Sequence, residues 1–64
     1  MEVDVYVIKY WKDGELTHED RLESFSAAQQ IVKDAVDNGG WSLAEIYDDA
    51  GDLKYHRASK LRRS

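Results

Sequence analysis

The chain contains no cysteine. That excludes a disulfide, a thiolate zinc site and a thiol nucleophile. No apolar run approaches the roughly 20 residues needed to span a bilayer. The first residues, Met1-Glu2-Val3-Asp4-Val5, are acidic where a secretory leader is basic. A cytoplasmic location is expected. A phosphate cradle is missing too, because Gly39-Gly40 follows a stretch of helical periodicity whereas a nucleotide-binding loop precedes one.

Metal ligands in useful spacing are also lacking. His18 and His56 fall on strands expected at opposite edges of a sheet. Asp48, Asp49 and Asp52 crowd one turn, without the about 12-residue spacing, closed by a glutamate, of a calcium loop. No metal and no cofactor are expected. Nor do a nucleophile, a base and an orienting group line up on rigid elements. A non-enzymatic protein is the leading expectation. An enzyme of this size would have to build its pocket at a seam between subunits.

What is present is a single domain of 64 residues. Such a chain buries roughly 60% of its unfolded surface, so a lone core is marginally stable. Small domains without disulfides or metals often lean on a second copy. The formal net charge is −4, and it is unevenly distributed. Residues 1–52 carry 13 acidic and four basic side chains; residues 53–64 carry no acid and five basic ones. The body should repel nucleic acid at long range, and the C-terminal segment should attract it.

The organising stretch is Val3 to Trp11, Val-Asp-Val-Tyr-Val-Ile-Lys-Tyr-Trp. Val3, Val5 and Val7 share one parity; Tyr6, Ile8 and Tyr10 share the other. A strand apolar on both faces needs cover on both and belongs in the interior of a sheet. Asp13-Gly14 suits a type I′ turn. A regular register then pairs Trp11 with Leu16, Lys9 with His18, Val7 with Asp20 and Val5 with Leu22. The second strand is charged and suits an edge.

Ser26 and Gln29 have capping-box spacing. Ala28, Ile31, Val32, Ala35 and Val36 form one apolar helical stripe, which ends near Asn38. Phe25 is placed just before the cap. Gly39 is placed in the left-handed position past the helix. Trp41 to Tyr47 reads as a third strand, and Leu53 to about Arg57 as a fourth, with Gly51 in the intervening turn. The domain is expected to cover residues 1–57, and residues 58–64 to form a loose basic tail.

The order ββαββ gives an α+β fold. Its four-stranded antiparallel sheet takes the order 2-1-3-4, which buries the doubly apolar first strand and leaves the charged second strand outside. One helix covers one face. If the valines of the first strand meet the helix, Tyr6, Ile8 and Tyr10 line the open face; a bulge would swap the two sets. Either way a helix of Ala, Val and Ile cannot cover all of Tyr6, Ile8, Tyr10, Trp11, Trp41, Tyr47 and Tyr55. These seven are the candidate interface, since Tyr and Trp favour binding surfaces. The expected function is contact: a small interaction or regulatory protein, paired with itself or with another protein, and not with a membrane. The alternative is a nucleic-acid binder using Lys54, Arg57, Lys60, Arg62 and Arg63.

Overall fold

The computed structural model describes residues 5–59. The element order is β1 (Tyr6–Lys12), β2 (Glu15–Leu22), α1 (Phe25–Asn38), β3 (Leu43–Tyr47) and β4 (Leu53–Ala58). The four strands form one antiparallel sheet in the order β2-β1-β3-β4. Among the described residues, no helix is long and apolar enough to cross a membrane. Ala58, expected in the tail, completes β4, and Lys60 to Ser64 lie outside the described residues.

The β1–β2 turn is built as its residues require. Asp13 and Gly14 take φ of 54° and 83°, the two positive values of a type I′ turn. Lys12 faces Glu15 and Trp11 faces Leu16. A bulge then adds one residue to β2. Tyr10 pairs with His18 and not with Thr17, and the shift carries through Lys9–Glu19, Ile8–Asp20, Val7–Arg21 and Tyr6–Leu22. The regular register expected beyond Trp11–Leu16 is therefore corrected by one residue. Leu22 joins the face of Tyr6, Ile8 and Tyr10, not that of the valines.

That face is the one under the helix. The buried core is Ile8, Tyr10, Ala28, Val32, Val36, Ala44 and Ile46, with Tyr6, Leu22, Phe25, Ala35, Trp41 and Tyr55 packed around it. The physical reason is Lys9. It sits on the valine parity, and an ammonium cannot be sealed beneath an apolar helix without a partner. On β3, Glu45 separates Leu43 from Tyr47 in the same way, while Ala44 and Ile46 are fully buried. Small Ala44 and Ala28 let helix and sheet approach closely.

The helix begins earlier than the capping-box spacing suggests. Ser24 is the cap; its Oγ accepts from Ala27 N at 3.2 Å, and its carbonyl accepts from Ala28 N at 3.0 Å. Phe25 is thus the first helical residue, with its ring 5.2 Å from that of Tyr6. Burying this ring pair outweighs the Ser26 signal. At the other end Gly39 keeps a negative φ of −95° and donates to Ala35 O at 2.9 Å. Its lack of Cβ matters for approach: a Cβ there would meet Ala35 O at 2.6 Å. The left-handed residue is Gly40, at φ 81°.

Candidate interaction surface

The helix lies mainly over β3 and β4. Among the described residues, no element covers the opposite face of the sheet. Three cross-strand rows line that face. The first is Leu16–Trp11–Leu43–Ala58, the second Glu19–Lys9–Glu45–His56, and the third Arg21–Val7–Tyr47–Leu53. A second bulge, between Ile46 and Tyr47, sets Leu53 opposite Tyr47 and leaves Lys54 as the extra residue. The face is therefore two largely apolar rows flanking one charged row. Leu16 and Leu53, at its corners, are 44% and 47% exposed.

The polar atoms of this face are organised around Glu45. Its Oε1 accepts from Trp11 Nε1 at 2.9 Å and from Tyr47 OH at 3.0 Å. The Lys9 ammonium stands 4.9 Å from the centre of the Tyr47 ring, within cation–π range. Desolvation, followed by the Glu45 carboxylate, raises the pKa of the Tyr47 phenol. The two aromatic rings are thus held by bonds to one carboxylate. A rigid aromatic loses little entropy on binding.

Of the seven residues expected at the interface, Trp11 and Tyr47 stand on this open face. The others lie on the helix side. Ile8 is 0% exposed and Tyr10 4%, so both are corrected from the open face to the core; Lys9, on the opposite parity, accounts for this. Tyr6 and Tyr55 pack half-buried against the core. Trp41 lies against Tyr10, with ring centroids 5.3 Å apart, beneath the Lys12 ammonium at 5.9 Å. The open face also carries Val7, Lys9, Leu16, Leu43, Glu45 and Leu53, which the aromatic count passed over. Lys9 and Glu45 were the available signals, because a charge amid apolar neighbours marks the solvent face of a strand.

A second cluster occupies the edge of the helix side. Tyr10 OH donates to Asp20 Oδ2 at 3.0 Å, and His18 Nε2 lies 3.5 Å from Asp20 Oδ1. The His18 and Tyr10 rings are 5.3 Å apart. Burial, then the hydrogen bond and charge of Asp20, push the Tyr10 phenol up to about 12. The folded chain therefore holds this proton more tightly than the unfolded one. The stabilisation is complete below the unfolded value near 10 and is lost as pH rises through 12. About 1–2 kcal/mol is expected to disappear in that window, after allowing for solvent screening at the rim. Absorbance titration should show Tyr10 and Tyr47 both ionising late, with the step near 12 absent in Tyr10→Phe. Were that step to persist in the variant, the assignment to Tyr10 would fail.

The basic residues of the C-terminal segment are partly engaged. Arg57 holds Asp37 through Nε at 3.1 Å and Nη2 at 3.0 Å. Lys54 lies 3.5 Å from Asp48. Lys60, Arg62 and Arg63 lie outside the described residues. His18 and His56 sit on the opposite edge strands β2 and β4. Among the described residues, no three of His, Asp or Glu converge in a way that would hold a metal ion. An open depression lies between the helix C-terminus and the end of β4, lined by Val36, Asp37, Trp41, Arg57 and Ala58 among others. The Arg57–Asp37 pair already crosses it. Comparison of the chain with protein-family models, with curated proteins and with solved structures gave no match.

Proposed function

We propose that this is a non-catalytic cytoplasmic protein that acts by contact, as a homodimer joined through the bare face of its sheet. One observation carries the reading. Trp11 and Tyr47, anchored on a common carboxylate, stand among Val7, Leu16, Leu43 and Leu53 on a face that no other described element covers. Tyr and Trp anchors dominate binding energy where they occur. Four strands at about 4.8 Å spacing and about five residues in length present roughly 300 Å² of projected face per copy, below the standard size for a specific interface, so the aromatic anchors and not the area carry the affinity. The short chain supports the same reading, since its one-sided core gains from a second layer.

Sedimentation velocity over a wide concentration range tests it. The expected species at high concentration has about twice the 7.4 kDa chain mass. Trp11→Ala should weaken association by about 30-fold, corresponding to about 2 kcal/mol for losing an anchor. A monomer at every concentration would remove the homodimer.

A further inference from the structure

The charged row of the open face has a sign pattern that selects one way of pairing two copies. In register across the sheet it reads Glu19, Lys9, Glu45, His56. In strand order this is acid, base, acid, and then a base when the imidazole is protonated. Turned end for end, the row reads base, acid, base, acid. It is its own complement.

Two in-plane two-fold axes can stack this face on itself. An axis across the strands, along the charged row, lays each residue of the row over its own copy. Lys9 would meet Lys9 and Glu45 would meet Glu45. Like charges so placed in a desolvated layer strongly oppose association. An axis along the strands, between β1 and β3, lays β1 over the partner's β3 and β2 over its β4. Lys9 of one copy then meets Glu45 of the partner subunit, twice. The apolar row Leu16–Trp11–Leu43–Ala58 meets its own reverse, apolar on apolar.

Sheet twist decides which of these pairs matter. Stacked sheets cross at about 30°, so rows diverge away from the axis. Lys9 and Glu45 flank the axis and stay opposed. Glu19 and His56 sit on the outer strands and drift apart. Among the described residues, the bonds to Glu45 from Trp11 and Tyr47 both fall on Oε1, which leaves Oε2 facing the partner's ammonium in this arrangement.

We infer that the bare sheet face docks a second copy of this chain about a two-fold axis along the strands, with Lys9 of each subunit paired to Glu45 of the other. This rests on the contact reading above and adds the partner's orientation.

The test uses charge reversal in the full chain, read by sedimentation at low salt. Lys9→Glu puts two acids over two acids, and Glu45→Lys puts two bases over two bases. Each alone should weaken the dimer by about 30-fold or more. An equimolar mixture of the two variants should associate at least tenfold more tightly than either parent, because acids then face bases, but less tightly than wild type, because the Glu45→Lys subunit lacks the acceptor of Trp11 and Tyr47. Glu45→Gln keeps an oxygen for Trp11 and Tyr47, and it should weaken the dimer about tenfold without touching either bond. A wild-type monomer throughout would overturn the contact reading and this geometry together. A wild-type dimer indifferent to Lys9→Glu, or a mixture no tighter than its parents, would overturn the geometry alone.

Discussion

Tyr10→Ala is expected to leave the chain unfolded at 25 °C. The ring is 4% exposed and lies between Trp41 and His18, each with its centroid 5.3 Å away. Removing a buried aromatic costs about 3–5 kcal/mol. A single core in a domain this small rarely supplies more than about 3–5 kcal/mol. Tyr10→Phe keeps the ring and loses only the bond to Asp20, so about 0.5–1.5 kcal/mol should go. Amide dispersion in NMR spectra and circular dichroism distinguish the cases. A well-dispersed Tyr10→Ala spectrum would show that the ring is not part of the core.

Ile46→Ala should be nearly as damaging. Ile46 is 0% exposed on β3, facing the helix. Its truncation removes buried methyl groups and leaves a cavity that a rigid strand cannot close, at about 2–5 kcal/mol. Ile31→Ala serves as the control, because Ile31 belongs to the helical apolar stripe yet is 37% exposed. A loss below about 1 kcal/mol is expected there. Urea melts at one fixed protein concentration would compare them, since the proposed dimerisation would make apparent stability concentration-dependent. Equal losses at the two positions would mean that the helix turns Ile31 into the core.

The contrast between Ile31 and Ile46 bears on what the residues alone disclose. Alternation and helical period were enough for the elements, and the two-faced first strand with its charged neighbour was enough for the strand order. The facing of β1 was not legible from apolar counts, which are balanced between its parities. It was legible from Lys9, whose ammonium breaks one parity and not the other. Thr17 gave no such sign. An extra residue in a polar edge strand changes no pattern that a one-residue window can detect, yet it moved Leu22 to the other face. The aromatic set misled for a related reason. Tyr is amphipathic, and Tyr10 reconciles burial with its hydroxyl by way of Asp20, a partner ten residues away. Trp11, Tyr47 and Glu45 converge only once β1 and β3 are neighbours.

The two bulges have a consequence for how far assembly runs. Thr17 interrupts the outer strand on one side and Lys54 that on the other. A straight incoming strand would find a broken ladder at each margin, amid charges that oppose a flat approach. Sheets that grow edge to edge become open-ended fibres. Both margins thus disfavour lateral growth, so the proposed face-to-face pair would use its sticky surface up and stop at two.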